Sequence, residues 1–186
     1  GKRYRDSEIE FELAVQGVKL GITAIQTMHG EEVPMGLTAA STGRIAFTTR
    51  EPIGVVVSLS AFNHPLNLIV HQVVPAIAAG CPVIIKPAAA TPMTCQVFVQ
   101  LLHQAGLPQD WCQMLLVSNV LAQKLACDPR VGYLSFIGSG RVGWYLRSKL
   151  APGTRCALEH GGVAPVIVDE TVDLDAVIAP IVKGAF

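Results

Sequence analysis

The sequence has few charged side chains, no surplus of either sign, and few aromatic residues. Of its 186 residues, 15% are charged, with 14 basic and 14 acidic side chains, and 6% are aromatic. Proteins that bind nucleic acid or an anionic membrane surface carry a surplus of Lys and Arg on the binding face. We therefore predict that the chain binds neither nucleic acid nor a membrane.

A long uninterrupted apolar run is also lacking. The most apolar region, residues 66–85, contains polar side chains and is broken by Pro75, Gly80 and Pro82, which is not the pattern of a membrane-spanning helix. Residues 1–12 are charged and lack the apolar core of a secretory signal. We therefore expect a cytoplasmic protein.

The cysteines lack the spacing of a metal site or of a disulfide framework. Their number is odd, no two are separated by only two residues, and the histidines are not spaced to join them. They are Cys81, Cys95, Cys112, Cys127 and Cys156. We predict reduced, mostly buried thiols and no metal site, as is typical of a cytosolic protein.

What the sequence does contain is a regular alternation of short apolar strands and helices. A helix is predicted over residues 7–28, with Gly17 and Gly21 allowing close packing against a neighbour, followed by a strand over 44–50. Further strands are predicted over 53–59, 83–86, 113–117, 133–137, 155–159 and 165–168, and further helices over 65–79, 92–105, 121–126, 139–150 and 174–186. Apolar strands separated by helices predict an α/β fold, a Rossmann-like open parallel sheet with helices on both faces.

A glycine-rich turn follows the strand predicted over 133–137. Gly138, Gly140 and Gly143 fit the pattern G-x-G-x-x-G between a strand and a helix. A helix N-terminus carries unpaired N–H groups and a partial positive charge, and glycines let a pyrophosphate approach them. Ser139 is predicted to cap this helix or to donate its hydroxyl to a phosphate. The motif alone also fits a tight turn without a ligand.

Polar groups follow four of the predicted strands. Asn63 comes after the first, Lys86 ends the second, the glycine-rich turn follows the third, and Glu159 ends the fourth. Ligands of open parallel sheets bind outside the carboxyl ends of the strands, so these groups are predicted to face one ligand. Each has a structural alternative: Asn63 as a helix cap, Lys86 as a solvated strand end, and Glu159 as an ion-pair partner.

Five segments, in order, resemble motifs of the aldehyde dehydrogenase superfamily, and together they span nearly the whole chain. They are Glu51-Pro-Ile-Gly-Val-Val56, Phe62-Asn-His-Pro65, Val83-Ile-Ile-Lys-Pro87 with Thr91-Pro92, Phe136-Ile-Gly-Ser-Gly-Arg-Val-Gly143, and Leu158-Glu-His-Gly-Gly162. The resemblance implies an enzyme that uses NAD or NADP to oxidise a small aldehyde to a carboxylic acid. The reaction in this family passes through a thiohemiacetal and a thioester on a cysteine.

The resemblance also implies a role for each matching residue. Asn63 would donate its amide to the oxyanion of the thiohemiacetal, and Glu159 would activate the water that hydrolyses the thioester. Lys86 would bind the adenosine ribose hydroxyls. The other residues implied to line the cofactor are Ser60, Ala61, Phe62, Ala88, Ala89, Phe136, Gly138, Ser139, Val142 and Gly161.

Three departures from the family pattern affect these expectations. His160 stands where leucine is usual, and an imidazole beside Glu159 could alter the orientation or protonation of that base. Ala89 stands where NAD-preferring members often carry a glutamate, so both NAD and NADP are expected as cofactors. The nucleophilic cysteine of the family is expected in a loop after the final helix, and none of the five cysteines has that context.

These motifs predict that residues 1–186 are part of a coenzyme-binding domain and that the catalytic domain lies outside the chain, which alone should be inactive. Residues 37–50 resemble a segment that extends into the oligomerisation region in this family, so a homodimer or homotetramer is expected. Two alternatives are an acylating relative, which releases an acyl-CoA or acyl phosphate, and a non-catalytic nucleotide-binding module. Glu159 argues against the first, and sequence beyond Phe186 would test the second.

Overall fold

The computed structural model describes residues 2–185 and contains six α-helices, one short 3-10 helix (Gln109–Trp111) and seven strands in that range. The helices are α1 (Tyr4–Thr27), α2 (Asn67–Ala78), α3 (Pro92–Gln104), α4 (Asn119–Ala126), α5 (Gly140–Arg147) and α6 (Leu174–Ala185). The strands are β1 (Glu32–Val33), β2 (Ala46–Phe47), β3 (Val55–Leu59), β4 (Val83–Lys86), β5 (Cys112–Met114), β6 (Val131–Gly138) and β7 (Arg155–His160). No described helix has both the length and the apolar character that a membrane crossing requires.

Five of the strands form one parallel sheet in the order β5-β4-β3-β6-β7. The chain runs outward from β3 to β5 and then returns to place β6 on the other side of β3. The strand order therefore reverses between β3 and β6, and such a switch point is where open parallel sheets bind ligands. Leu59 is in register with Lys86 on one side and with Phe136 on the other, so these strand ends share one edge.

Two apolar clusters, one on each face of the sheet, hold the helices in place. The first joins residues of α1, α2 and α3 to the sheet, and the second joins residues of α4 and α5. Val56 belongs to the first cluster and Val57 to the second, because successive side chains of a strand point to opposite faces. The predicted α/β fold with helices on both faces of a parallel sheet is confirmed.

Helix α1 packs against α2 through small residues. Several of its larger apolar side chains, among them Ile9 and Leu20, are more than half exposed. A Cβ built on Gly17 would lie 2.7 Å from Val70 Cγ1. A Cβ built on Gly21 would clash with the side chain of Val74, one turn further along α2. The prediction that Gly17 and Gly21 allow close packing is confirmed.

Several predicted elements are shorter than expected or do not form. Residues 165–168 are not a strand: residues 161–169 have no regular structure, and Ile167 is 92% exposed. A strand needs a neighbour for its N–H and C=O groups, and no described strand pairs with this segment. The strand predicted over 44–50 is reduced to β2, which pairs with β1 in an antiparallel ribbon.

Helix boundaries moved by a few residues. The helix predicted over 139–150 ends at Arg147, and the one predicted over 121–126 begins at Asn119 because Ser118 Oγ accepts the N–H of Leu121 at 3.4 Å. The strand predicted over 113–117 ends at Met114. Helix α6 agrees with the prediction over 174–185, and Phe186 lies outside the described residues.

Candidate functional site at the carboxyl edge of the sheet

Four adjacent strands bring the groups singled out in the sequence to one edge of the sheet. Lys86 is the last residue of β4, Gly138 is the last residue of β6, and Glu159 precedes the last residue of β7. The loop with Asn63 follows β3, which lies between β4 and β6. The strand ends therefore lie together, as the sequence pattern predicted.

Lys86 is a buried cation with no carboxylate paired to it among the described residues. Its exposed fraction is 9%, and its Nζ donates one hydrogen bond, to the carbonyl of Pro87 at 3.3 Å. An ammonium group has three N–H donors, so the other two have no acceptor within residues 2–185. A buried charge is costly unless acceptors surround it, and ligand hydroxyls or phosphates at this edge would supply them. Lys86 is therefore not the solvated strand end that the sequence left open.

Two hydroxyl groups near the end of β4 are buried without a hydrogen-bond partner in the described part of the chain. One is Ser60 Oγ, whose residue donates its backbone N–H to the carbonyl of Lys86 at 3.1 Å. The other is Thr91 Oγ1, at the N-cap position of α3, where it makes no capping hydrogen bond. An unpaired buried hydroxyl costs free energy, so both oxygens are positioned to gain from a polar ligand.

The turn that joins β4 to α3 carries small side chains. Ala88 is half-buried and Ala89 is exposed, and the N–H of Thr91 donates to the carbonyl of Ala88 at 3.1 Å to close the turn. On the other side of Lys86, Ala61 is half-buried while Phe62 is 66% exposed. The turn after Lys86 therefore presents no bulky side chain at Ala88 or Ala89.

The glycine-rich turn leads directly into α5. Ser139 occupies the N-cap position as predicted, but its hydroxyl makes no capping hydrogen bond and is exposed. Gly138 is half-buried at the end of β6, and Val142 is exposed in the first turn of the helix. An exposed helix N-terminus without a side-chain cap favours a bound anion.

His160 packs beneath this turn and faces away from Glu159. Its ring centroid lies 5.7 Å from that of Trp144 and 6.4 Å from that of Phe136. A Cβ built on Gly143 would come closer than 3.0 Å to His160 Nε2. Since successive side chains of a strand point to opposite faces, the expectation that this imidazole lies beside the carboxylate of Glu159 is wrong.

The side chain of Glu159 lines a cavity of about 400 Å³ between α2 and the strands β6 and β7. Its walls are largely apolar, with Pro75, Tyr133 and Ala157 among them. Glu159 itself is exposed, and no ion pair joins it to another described residue. The ion-pair alternative for Glu159 is therefore not supported, and Gly161 beyond it is exposed.

A polar residue that the sequence did not single out, Gln72 of α2, lies in the same cavity. Its Nε2 donates to the carbonyls of Leu59 at 3.3 Å and Ser135 at 3.0 Å, and lies 3.1 Å from Ser135 Oγ. Gln72 thus ties β3 to β6 at the switch point, and its buried Oε1 has no described partner. The sequence does contain one indication of this role, because Gln72 is a polar residue among the apolar residues on the buried side of α2.

Asn63 lies in the loop over residues 60–66, between β3 and α2. The residue is exposed, and its side chain makes no hydrogen bond with the described residues. The N-cap position of α2 is Leu66 rather than Asn63, so the structural alternative of a helix cap is not supported. The amide of Asn63 is available to a ligand at the carboxyl edge.

None of the five cysteines offers an exposed thiol at this edge, since Cys95, in the first turn of α3, is fully buried. All are free thiols; Cys127 follows α4 at the opposite edge, and Cys156 is the second residue of β7. Burial, with a smaller contribution from Cys112, raises the pKa of Cys95 to about 12, and burial raises the pKa of Cys112 to about 11. Thiols with such pKa values are not nucleophiles near neutral pH.

Comparison with known proteins gives one consistent match. The family model for the aldehyde dehydrogenase family matches residues 1–186. A 3-sulfolactaldehyde dehydrogenase of Priestia megaterium is 35% identical over 187 residues, which cover 100% of this chain and 39% of that protein. Aldehyde dehydrogenase 21 of Physcomitrella patens, solved in complex with the reaction product succinate, aligns with a TM-score of 0.91 at 35% identity, over 100% of this chain and 39% of that one.

A third relative was solved with a dinucleotide. Glyceraldehyde-3-phosphate dehydrogenase of Methanocaldococcus jannaschii, complexed with NADP, aligns with a TM-score of 0.89 at 30% identity, over 100% of this chain and 40% of that one. The chain therefore spans about 39–40% of the length of these relatives.

Proposed function

The chain belongs to the aldehyde dehydrogenase family, and from this we propose that it forms the NAD(P)-binding part of an enzyme that oxidises a small aldehyde to a carboxylic acid. The observation that carries the proposal is Lys86, a buried cation with free donors beside the switch point of a parallel sheet. The nucleophilic cysteine would belong to a part of the enzyme outside residues 1–186. Residues 37–50 would contribute to a homodimer or homotetramer.

The residues at the carboxyl edge fit a dinucleotide. Lys86, with the unpartnered hydroxyls of Ser60 and Thr91, would hold the adenosine ribose. The open N-terminus of α5, after Gly138 and Ser139, would hold the pyrophosphate through backbone N–H groups. When bound, the nicotinamide accepts a hydride from the substrate. Two solved relatives, both glyceraldehyde-3-phosphate dehydrogenases in complex with NADP, support the same cofactor class.

Both NAD and NADP are proposed as cofactors. Ala89 is exposed in the turn after Lys86 and carries no carboxylate that would repel a 2′-phosphate. Lys86 itself offers a positive charge to either a hydroxyl or a phosphate. The affinities for the two cofactors should therefore lie within about tenfold of each other, which corresponds to about 1.4 kcal/mol.

Two side chains of this chain are proposed to act on the substrate. Asn63 presents an amide that no described residue engages, and it would donate to the oxyanion that forms when the thiolate adds to the aldehyde. One such donor is worth about 3–4 kcal/mol in comparable enzymes. Because this oxyanion forms when the thiolate adds to the aldehyde, the contribution of Asn63 to that step appears in the first half of the reaction.

Glu159 would serve the second half of the reaction. Its carboxylate, at the border of a cavity large enough for water, would take a proton from the water whose oxygen bonds to the thioester carbon. The cysteine then leaves as a thiolate, and the product is a carboxylic acid. A water-activating base favours this hydrolysis over transfer of the acyl group to CoA or phosphate.

Titration of the whole enzyme with NAD and NADP tests the proposal. Lys86→Met keeps the length of the side chain but removes its charge and donors. It should weaken both cofactors by about 10- to 100-fold, as expected for lost hydrogen bonds to a charged group. Lys124→Met, on the exposed side of α4, is the matched control and should leave both dissociation constants unchanged.

Two outcomes would contradict the assignment. If Lys86→Met bound both cofactors as tightly as the wild type, Lys86 would not be the residue that holds the adenosine ribose. If the wild type preferred NAD by more than a hundredfold, a residue other than position 89 would select the cofactor.

A further inference from the structure

The side chain of Glu10, from the second turn of α1, is buried against the start of α2. Its exposed fraction is 4%, and its Oε1 accepts the backbone N–H groups of Leu66 at 2.6 Å and Asn67 at 3.0 Å. Its Oε2 accepts a hydrogen bond from Lys2 Nζ. The carboxylate therefore ties together two parts of the chain that are 56 residues apart in sequence.

The carboxylate of Glu10 caps the N-terminus of α2. The residue at the N-cap position, Leu66, has no side-chain oxygen, so the helix cannot cap itself there. A carboxylate at a helix N-terminus accepts the unpaired N–H groups and interacts favourably with the helix dipole. Burial acts to raise the pKa of Glu10, but the hydrogen bonds from Lys2, Asn67 and Leu66 outweigh it and lower the pKa. Glu10 is thus ionised at neutral pH.

The residues that Glu10 holds stand where the loop that carries Asn63 ends: Leu66 is the last residue of the loop, and Asn67 is the first residue of α2. At its other end, the loop is joined to the sheet by the hydrogen bond from Ser60 N–H to the carbonyl of Lys86. His64 of the loop is also contacted: its Nδ1 lies 3.1 Å from Lys2 Nζ. Since the side chain of Asn63 makes no hydrogen bond to described residues, its position depends on how the loop is held at both ends.

We propose that Glu10 is a positioning residue: by fixing the first turn of α2, its carboxylate sets the loop that presents Asn63 to the reacting carbonyl oxygen. The inference rests on the proposed role of Asn63 as an oxyanion donor. A displacement of about 1 Å in a group that acts on the transition state can lower a rate by about 100-fold. Loss of the Glu10 carboxylate should therefore slow the addition step while leaving the cofactor site around Lys86 intact.

The test is the rate of the first turnover of the whole enzyme, measured as NAD(P)H formed after rapid mixing with aldehyde. Glu10→Ala removes both acceptors and should slow this rate by about 10- to 100-fold. Glu10→Gln keeps an amide oxygen for the N–H of Leu66 and should slow it by only about 3- to 10-fold. Glu12→Ala, an exposed charge on the same helix, should leave the rate unchanged. NAD(P) affinity should stay within about twofold in all three variants.

Repeating the measurements in an Asn63→Ala background separates positioning from a general loss of structure. If Glu10 acts through Asn63, its variants should have almost no further effect once the amide is gone, because the two losses are not additive. A loss of equal size in both backgrounds would overturn the inference, and so would wild-type rates for both Glu10 variants in an enzyme that Asn63→Ala slows. Should Glu10→Ala fail to fold, the effects of Glu10→Gln with and without Asn63→Ala are compared instead and test the same inference. A wild-type rate for Asn63→Ala would instead contradict the proposed role of Asn63.

Discussion

The imidazole of His160 occupies the space that a side chain on Gly143 would need. A Cβ at Gly143 would lie within 3.0 Å of His160 Nε2 and 3.1 Å from Cδ1 of Phe136. The ring cannot move aside freely, because it is held between Phe136 and Trp144. The last glycine of the glycine-rich turn therefore lets α5 sit directly on β6 and β7, which aims the helix N-terminus at the carboxyl edge.

Gly143→Ala should accordingly lower the free energy of unfolding by about 1–3 kcal/mol, because the added methyl group overpacks this contact. Chemical denaturation measures the change. Adding His160→Ala to the Gly143→Ala protein makes room for the methyl group and should recover part of the lost free energy of unfolding. The effects of the two substitutions should therefore not be additive. Gly184→Ala is the control, since nothing lies within 4 Å of a Cβ there. Equal stability of Gly143→Ala and the wild type would show that α5 shifts without cost.

The buried thiols should be unreactive in the native protein. Cys81, Cys95 and Cys112 are buried, whereas Cys127 and Cys156 are half-buried. A disulfide reagent such as 5,5′-dithiobis(2-nitrobenzoate) should therefore modify at most two thiols rapidly under native conditions, and all five after denaturation. Rapid modification of Cys95 or Cys112, identified by peptide mass, would contradict the packing described for the first cluster.

The buried carboxylate of Glu10 should make stability depend on pH in the acid range. Its pKa in the folded state is lowered from the ordinary value of 4.5, so near that pH the folded state binds fewer protons than the unfolded state. The contribution is complete above about pH 4.5 and is lost as the pH falls through the folded pKa. Thermal melts should therefore show a shallower loss of Tm below pH 4.5 in Glu10→Gln than in the wild type.

The control for that series is Glu12→Gln, an exposed glutamate on the same helix whose melts should parallel those of the wild type. If Glu10→Gln and the wild type lost Tm equally on acidification, Glu10 would not be stabilised as an ion at the start of α2.

The sheet and its carboxyl edge could be predicted from the sequence because each step depends on local signals. Apolar strands bounded by Gly and Pro, with helices between them, allow few arrangements other than a covered parallel sheet. Once the strands are known, the groups at their carboxyl ends follow from chain direction alone. Lys86 and Glu159 were identified in this way, and both lie at that edge.

The features that the sequence did not reveal depend on contacts between distant segments. Large apolar residues of α1 such as Ile9 suggest a buried stripe, but the buried residues of α1 are Glu10, Ala14 and Gly21. Glu10 and Gln72 each form hydrogen bonds with backbone groups of another part of the chain. The sequence around each residue does not indicate which part of the chain that is. The apolar segment 165–168 has strand-like composition, yet no described strand pairs with it.

The most direct test of the proposed chemistry is Glu159→Gln in the whole enzyme, because it separates the two halves of the reaction. Glutamine keeps the size of the side chain but cannot accept a proton from water, so hydrolysis of the thioester should slow by about 10²–10⁴-fold while its formation continues. Rapid mixing should show a burst of about one NAD(P)H per active site followed by slow turnover, and hydroxylamine should trap the thioester. Glu170→Gln, an exposed control, should turn over like the wild type. A folded Glu159→Gln enzyme with neither burst nor trapped thioester would contradict the assignment of Glu159 as the base.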